Sequence, residues 1–460
     1  MKVTHVSIRP TEAAEKAGRP ALTPELLAAS GARYSRNNEG LEAILSKIDP
    51  ANLDKSVDGI FKMIDYGHQS IADMAPVAMF IDGISMWLAY LVWAQVPTAG
   101  GQESSTRYLR LTRDDLASPD ELGIPEALQG DWTELMNESM AAYDQAYALW
   151  EQYAEENPGV TRIPATLLND PSDKAQKQVA RMRRNYAFDR ARYFLPVALR
   201  TNMMLVMSAR AWTQLCQWLL SHYLPEARAL GAKVVPELGL SAPRLIRHAA
   251  SKVSSIEGHR DELRRATRLP HPDADQKQGS ADPILDVMLP AGVRPGEFVA
   301  ALKNHDNRYA YIGDALRRTA VRFAWHGMAF AEIRDLNRHR TGNKYCPLYG
   351  TGFYGADEEI PDSLRGKLLL LNEVGDRATK FGADQLLDGK PAYPYFYLLG
   401  TKFFFEHTTT ADKFIYEAEL RTGTGAHYRY AKHLHDALEL WYTKFPDTRG
   451  LILEGSAEPE

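Results

Sequence analysis

The longest apolar stretch, from Ala75 to Trp93, restricts what this chain can fold into. It is long enough to raise the question of a membrane-spanning helix. Asp73 and Asp82 bring charges into the region, and Pro97 follows it closely. A membrane helix tolerates such charges poorly, whereas a core helix of a globular protein can place them at its edge. We therefore predict a buried core helix here and no membrane segment.

Length and composition indicate a globular protein with more than one domain. A chain of 460 residues exceeds the size at which a single core usually stops growing, so two or three domains are expected. The net charge of -5 argues against a general nucleic-acid binder, and we expect no specific nucleic-acid partner. Cys216 and Cys346 are the only cysteines in the sequence. The segment Met1–His5 is not followed by the apolar stretch that is typical of a signal peptide. These features predict a cytoplasmic protein without disulfides.

Most of the chain shows the spacing of apolar residues that is typical of helices. The sequence predicts helices over residues 40–47, 54–66, 132–156, 174–188, 203–218 and 317–337. A strand is visible only at Ile284–Leu289, and the pair Gly100 and Gly101 predicts a loop. The segment Pro270–Ser280 has the composition of a linker, and the elements after it repeat the order of those before it.

Two short polar segments, one in each half, combine residue types that can recognise a nucleotide. The early segment is Glu103-Ser104-Ser105-Thr106-Arg107-Tyr108, and the late one is Asn337-Arg338-His339-Arg340-Thr341. Arginine supplies a planar fork of donors for phosphate or a carbonyl edge, while Glu and Ser supply an acceptor and a hydroxyl that orient a polar ring. Each segment is incomplete alone, so we predict that the two act together.

These segments and their surroundings resemble the flavin-dependent thymidylate synthases, the ThyX family, whose signature has the form RHRxxSxNExSxRY. The first half is similar at Ala32-Arg33-Tyr34-Ser35, Tyr66-Gly67-His68-Gln69-Ser70, Trp93, Glu103–Tyr108, Ala191–Pro196, Ser208-Ala209-Arg210 and Ser221-His222. The second half is similar at Arg338–Thr341, Glu419-Leu420-Arg421 and Ala426-His427. The chain therefore resembles two partial copies of one family.

Each half departs from the family pattern where the other half matches it. In the first half, Gln95-Val96-Pro97 stands where the RHR triplet should be, and Leu219 stands where the late arginine should be. The second half lacks the NExSxRY portion, which is replaced by Lys344–Tyr349. The family's active site lies between subunits, so the resemblance implies that one composite site survives within this chain.

The resemblance implies which residues would contact the nucleotide: Glu103, Ser105, Arg107, Arg192, Arg338 and Arg421. Arg107 and Arg192 would bind phosphate. Arg338 and Arg421 would also be catalytic, because a cation beside the pyrimidine carbonyl edge stabilises negative charge on the ring. An ordinary ion pair for Arg107 and a position at a helix end for Arg421, beside Gly423, stay open as alternatives.

The resemblance also implies FAD as cofactor, with NADPH and methylenetetrahydrofolate as co-substrates, and no metal. The residues expected to contact the flavin are His339, Arg340, His68, Ser70, Arg210, Gln214 and His222. The implied reaction is methylation, or a related alkylation, of C5 of a uracil nucleotide. The alternative is a non-catalytic or repurposed homologue that binds another pyrimidine nucleotide.

The fold that the resemblance implies is α/β (α+β), with two tandem ThyX-like domains that form a pseudo-dimer within the chain. In each domain, helices would pack around a central sheet. We predict the first domain over residues 1–233, a helical segment and linker over 234–283, and the second domain over 284–460. The expected partner is a small-molecule pyrimidine nucleotide, and a homodimer of this chain would be equivalent to the family tetramer.

Overall fold

The computed structural model describes every residue of the chain except 37, 39, 50, 51, 54, 56, 59, 62–68, 267–282 and 457–460. The described residues form two compact units. The first comprises residues 1–104, 117–124 and 200–264, and the second comprises 105–116, 125–199 and 265–460. Helices and one antiparallel sheet occur in each unit, which confirms the predicted mixed fold class.

The first unit contains a four-stranded sheet with the strand order β1-β2-β4-β3. Its strands are β1 (Lys2–Val6), β2 (Pro76–Ser85), β3 (Gly100–Glu103) and β4 (Arg200–Ser208). The helices of this part of the chain are Glu12–Lys16, Pro24–Tyr34, Gly40–Ser46, Met86–Gln95, Pro119–Leu122, Ala209–Ser221, Pro225–Gly239 and Val253–Ala266. Met79, Trp87 and Trp212 are fully buried in its core.

The second unit contains a five-stranded sheet with the order β5-β6-β9-β7, and β8 pairs with β9. Its strands are β5 (Pro283–Met288), β6 (Ala320–Ala329), β7 (Asn343–Tyr345), β8 (Gly352–Phe353) and β9 (Thr401–Thr410). Its helices are Glu126–Glu156, Ala165–Leu168, Asp173–Ala191, Glu297–Leu302, Asp314–Arg318, Phe330–Asn337, Arg365–Leu387, Ala411–Thr422 and Tyr428–Lys444. Trp325, Phe414 and Trp441 are fully buried.

The two sheets share one internal arrangement. In each, a long second strand, β2 or β6, carries a register shift and continues directly into a helix. The strands β4 and β9 likewise continue directly into Ala209–Ser221 and Ala411–Thr422. Leu219 and Arg421 occupy the same position in these two helices, counted from the first residue. This topology accounts for the repeated order of elements in the sequence.

The predicted domain boundaries at 233 and 284 do not follow the two compact units. The second unit takes 105–116 and 125–199 from the first half of the chain. The predicted boundaries divide the sequence into two tandem copies, whereas the compact units combine segments from both halves, so the division into two tandem copies stays a prediction.

The helices predicted over the apolar stretches are wrong in part, because each of these stretches is a strand followed by a helix. The stretch from Ala75 to Trp93 is β2 and then Met86–Gln95, and Ser85 Oγ caps that helix by accepting from Leu88 N at 3.0 Å. The predicted helix over 203–218 begins in β4, and the one over 317–337 contains β6. Central strands are apolar along most of their length, so the junction with an apolar helix shows no change of hydrophobicity.

The loop predicted at Gly100 and Gly101 is also wrong, since both glycines lie in β3. This strand pairs with β4, opposite Val206 and Leu205. A Cβ atom at Gly101 would collide with the Met204 carbonyl oxygen, so the close approach of the two strands requires glycine there.

Other predictions agree with the structure or lie outside it. Helices 40–47, 132–156 and 174–188 correspond to Gly40–Ser46, Glu126–Glu156 and Asp173–Ala191, and the predicted strand is β5. The predicted linker and part of the predicted helix 54–66 lie outside the described residues. No helix in the described ranges is both long and apolar enough to cross a membrane.

Candidate functional site

The predicted nucleotide-binding arginines all lie in the second unit. Arg107 belongs to its 105–116 segment, and Arg192 directly follows the helix Asp173–Ala191. Arg338 directly follows Phe330–Asn337, and Arg421 lies in the last turn of Ala411–Thr422. Two of these arginines therefore come from each half of the sequence.

Asp335 brings these arginines together. Its carboxylate accepts hydrogen bonds from Arg192 Nη1 at 3.2 Å and from the Arg338 guanidinium. Its carbonyl oxygen accepts from Arg421 Nη2 at 2.8 Å. Burial alone would raise the pKa of the Asp335 carboxyl, but the nearby guanidinium groups, including that of Arg107, hold it well below its usual range. Asp335 is therefore ionised at the centre of four arginines.

Arg107 also pairs with a second buried carboxylate, Asp189. Arg107 Nε and Nη2 donate to the two carboxylate oxygens at 2.7 and 3.0 Å, and Nη1 donates to the Gly425 carbonyl at 2.8 Å. This bidentate contact is the strong form of an arginine–carboxylate pair. Ser105 Oγ accepts from the Arg107 backbone N at 3.2 Å and so fixes the turn that presents the arginine.

His427 is a structural part of this cluster. Its Nε2 donates to the Asp189 carbonyl oxygen at 3.0 Å, and its Nδ1 accepts from Arg429 N at 3.1 Å, which caps the helix Tyr428–Lys444. Burial, reinforced by Arg192, lowers the pKa of His427 far below its usual value. The ring is therefore neutral and carries its proton on Nε2.

Glu332 is a buried acid one helical turn before Asp335. Its Oε1 accepts from the Tyr193 hydroxyl at 2.8 Å and lies 3.5 Å from Arg192 Nη2. Burial raises the pKa of Glu332 to about 7, although Arg192, Arg429 and the hydrogen bond from Tyr193 oppose the shift. The carboxyl can therefore hold or release a proton near neutral pH inside the arginine cluster.

The raised pKa of Glu332 predicts a pH-dependent stability. Between about pH 4.5, the ordinary pKa of a glutamate carboxyl, and about pH 7, the raised pKa of Glu332, the unfolded chain has lost this proton while most of the folded chain still holds it, so this group stabilises the fold less as pH rises. Buried histidines with lowered pKa, such as His339, oppose this trend below about pH 6.5, so the comparison must be made against Glu332→Gln. Relative to that variant, the wild type should lose about 2 to 3 kcal/mol of unfolding free energy over this range.

Urea unfolding of both proteins at a series of pH values measures this difference. The same substitution at the exposed Glu373 is the control and should leave the pH profile unchanged. A constant difference between wild type and Glu332→Gln across the range would show that Glu332 ionises normally.

His339 and Arg340 have different environments. His339 is 9% exposed, and its Nε2 accepts a hydrogen bond from Arg421 Nε at 2.7 Å. Arg340 is exposed. The consecutive residues of the late segment therefore point to different surroundings: Arg338 to Asp335, His339 to Arg421 and Arg340 to the surface.

The remaining predicted site residues lie in the first unit. Glu103, at the end of β3, accepts from Trp93 Nε1 at 3.1 Å, and Arg210 pairs with Asp73 at 2.9 Å. Ser70 and Gln214 are exposed. His222 is buried, its Nδ1 accepts from Leu224 N at 3.1 Å, and burial lowers its pKa to about 3. His68 lies outside the described residues.

Sequence reasoning missed the acids and one histidine of the second unit: Asp189, Glu332, Asp335, His407 and Glu417. One sequence signal was available for Asp335, because its spacing of three residues from Arg338 permits an ion pair at a helix end. No local signal marks the others, since their partners lie far away in the chain. Among the described residues, no group of three or more His, Cys, Asp or Glu side chains could hold a metal ion.

Residues 21–244 match the model of the Thy1 family, described as thymidylate synthase complementing protein. This segment belongs to the Thy1 family. It contains β2, β3 and β4 and, among the predicted nucleotide-binding residues, Glu103, Ser105, Arg107 and Arg192. Arg338 and Arg421 lie beyond the matched Thy1 segment.

Two curated proteins are each similar to about half of the chain. UPF0159 protein Ta1429 of Thermoplasma acidophilum is 22% identical over 237 residues, which are 48% of each chain. The flavin-dependent thymidylate synthase of Clostridium tetani is 24% identical over 236 residues, which are 49% of this chain and 82% of the relative. The chain thus spans about half the length of the first relative.

Two solved structures match part of the chain, each at 15% sequence identity. One is the flavin-dependent thymidylate synthase ThyX of Helicobacter pylori complexed with FAD and dUMP, with a TM-score of 0.29. The other is the UMP/dUMP methylase PolB of Streptomyces cacaoi bound with 5-Br dUMP, with a TM-score of 0.30. The matches cover 54% of this chain and 100% and 93% of the respective structures. These TM-scores are too low to support a residue-level comparison.

Proposed function

We propose that this chain is a flavin-dependent enzyme that methylates, or similarly alkylates, C5 of a uracil nucleotide at the arginine cluster of the second unit. The observation that carries the proposal is the meeting of Arg107 and Arg192 with Arg338 and Arg421 around Asp335. Both halves contribute, as expected for a site that forms between two subunits in the family and within one chain here. Membership of the Thy1 family supplies the reaction class.

The charges of the cluster suit a nucleotide monophosphate. Four guanidinium groups face the two ionised carboxylates of Asp189 and Asp335, together with Glu332, whose pKa is about 7. The cluster therefore keeps positive charge that a phosphate group can neutralise by charge-assisted hydrogen bonds. We assign phosphate binding to Arg107 and Arg192, with Ser105 shaping the loop.

Arg421 is the group we assign to the pyrimidine ring. Among the described residues, its guanidinium donates hydrogen bonds through Nε and Nη2, and its Cζ lies over the Tyr430 ring, 5.1 Å from the centroid. Fixed in this way, the guanidinium offers a preorganised positive charge to a ring carbonyl, where negative charge develops as C5 reacts. Glu332 can take up or return a proton in the same cluster.

FAD is the cofactor that the proposal requires, and when bound it would supply the hydride for reduction of the transferred carbon. In the second unit, the exposed Arg340 has a polar, accessible side chain that fits a cofactor contact. In the first unit, taken by itself, Ser70 and Gln214 are also polar and exposed. Arg210, one third exposed, fits if it exchanges Asp73 for the cofactor. His339 and His222 fit poorly, because each is buried with one ring nitrogen committed to a contact inside its own unit.

A non-catalytic nucleotide-binding protein is the second candidate. Asp189 and Asp335 already pair with the arginines, so the cluster also has the form of an internally neutralised core. Under this alternative, the nucleotide binds weakly or not at all and no product forms.

Mass spectrometry of reaction products separates the two candidates. Full-length protein is incubated with FAD, NADPH and methylenetetrahydrofolate and with dUMP, UMP or dCMP. We expect one uracil nucleotide to gain the mass of a methyl or a related one-carbon group, and omission of FAD should abolish the product. If every nucleotide is recovered unchanged while FAD is bound, the enzymatic proposal is wrong.

A further inference from the structure

Arg421 contacts the first of three buried polar side chains, His339, Glu417 and His407, which have no role in the proposed reaction. The first is His339, whose Nε2 accepts the Arg421 Nε–H at 2.7 Å. Arginine can only donate, so this contact requires an unprotonated Nε2. Burial lowers the pKa of His339 to about 3, with Glu417 opposing and Arg421 reinforcing the shift. At neutral pH the ring is therefore neutral, with its proton on Nδ1.

Glu417 and His407 lie on the other side of the His339 ring. Glu417 is completely buried, and its Oε2 lies 3.8 Å from His339 Nδ1 and 3.0 Å from His407 Nδ1. His407 Nε2 donates to the Thr341 carbonyl oxygen at 2.7 Å. Burial alone would raise the pKa of the Glu417 carboxyl, but the facing rings of His339 and His407, together with the Lys344 ammonium, lower it to about 2, so the carboxyl is ionised.

The ionised carboxylate determines which nitrogen of His339 carries the proton. The distance of 3.8 Å between Glu417 Oε2 and His339 Nδ1 is too long for a hydrogen bond. The negative charge of the carboxylate nevertheless favours the tautomer that carries its proton on Nδ1, the nitrogen that faces it. The opposite nitrogen, Nε2, is then an acceptor directed at Arg421. Lys344 Nζ donates to the His339 carbonyl oxygen and holds the backbone at the same place.

We propose that His339, backed by Glu417 and His407, is a positioning residue that sets the orientation of the Arg421 guanidinium. His339 Nε2 and the Asp335 carbonyl oxygen accept hydrogen bonds from Nε and Nη2 of Arg421, and these two bonds fix the plane of the guanidinium group. This role replaces the flavin contact that the family resemblance implied for His339. The importance of this positioning for catalysis rests on the proposed function of Arg421. The contacts between His339 and Arg421 do not depend on that function.

Nitrogen NMR of the full chain, labelled at histidine and arginine, tests the proposal without substrate. We expect His339 to show a protonated Nδ1 and an unprotonated Nε2, and the Arg421 Nε–H to exchange slowly with water. In Glu417→Gln the tautomer preference should weaken, and the exchange of that proton should accelerate roughly 10-fold or more. The control is Glu419→Gln, the same change in the same helix at a buried acid that contacts His305 and Leu453 instead.

A second pair of variants guards against a simple loss of folding. His339→Gln keeps an acceptor for Arg421 and should retain the slow exchange, whereas His339→Leu removes the acceptor and should lose it. A protonated His339 Nε2, or exchange in folded Glu417→Gln equal to that in the wild type, would overturn the proposal. If no nucleotide product forms but these NMR results hold, the proposed function fails and the positioning role stands.

Discussion

Asp335→Asn should lower the free energy of unfolding by about 3 to 5 kcal/mol, the usual range for breaking a buried ion pair from one side. Asparagine keeps the size and shape of the side chain but removes its charge. Arg192, only 2% exposed, and Arg338 would then lose the carboxylate that they share. Urea unfolding followed by circular dichroism measures the loss.

Asp362→Asn is the matched control for this experiment. Asp362 also pairs with an arginine three residues later, Arg365, but its side chain is 96% exposed. An exposed pair of this kind contributes little, so the control should change the unfolding free energy by less than about 1 kcal/mol. Equal losses in the two variants would mean that Asp335 does not hold the arginine cluster together.

Added phosphate should act on the two proteins differently. If the arginine cluster is an anion site, inorganic phosphate should raise the unfolding midpoint of Asp335→Asn more than that of the wild type, because the cluster has lost a resident negative charge. An equal rise of the unfolding midpoint in both proteins would mean that phosphate does not bind at the arginine cluster.

Arg421→Gln should lower kcat for the uracil nucleotide by roughly 100- to 1000-fold, the effect of removing one preorganised donor from a developing negative charge. KM should change much less, because this charge develops mainly in the transition state. Arg421→Lys should recover only part of the rate, since a single ammonium group cannot bond His339 and the Asp335 carbonyl in the fork geometry of arginine.

Arg449→Gln provides the control for lost positive charge. Arg449 belongs to the same unit, and its exposed guanidinium pairs with Glu439 at 2.6 Å. Its removal should leave kcat unchanged. An Arg421→Gln enzyme with normal kcat and a raised KM would assign Arg421 to general nucleotide binding, contrary to the role proposed here.

The sequence predicted two long helices of the second unit well and most strands poorly, for a physical reason. Glu126–Glu156 and Asp173–Ala191 are long and have one buried face, so their periodicity is unambiguous. In contrast, β2 and β6 run directly into the helices that follow them, and a single polar residue, Ser85, marks the first junction while the second has none. The one strand recognised in the sequence was β5. In β4, burial alternates at Met203, Leu205 and Met207, but Met204 and Val206 between them are also apolar, so the sequence itself shows no alternation.

The arginines of the site could be recognised in the sequence, and most of their partners could not. Arg107 and Arg338 stood out because they lie in short motifs with a family resemblance. Asp189 and Glu417 have no such motif, and their contacts with Arg107 and His407 depend on tertiary packing. The protonation state of His339 likewise follows from burial and from Glu417, which no local pattern encodes.

The most direct test of the central claim is the absorption spectrum of the purified full-length protein, recorded before and after FAD is added and again after titration with dUMP. We expect a bound-flavin spectrum that changes on addition of dUMP in the wild type, and a much weaker response to dUMP in Arg421→Gln. A colourless protein that does not bind added FAD, or a flavin spectrum that dUMP leaves unchanged, would contradict a flavin-dependent nucleotide site at the arginine cluster.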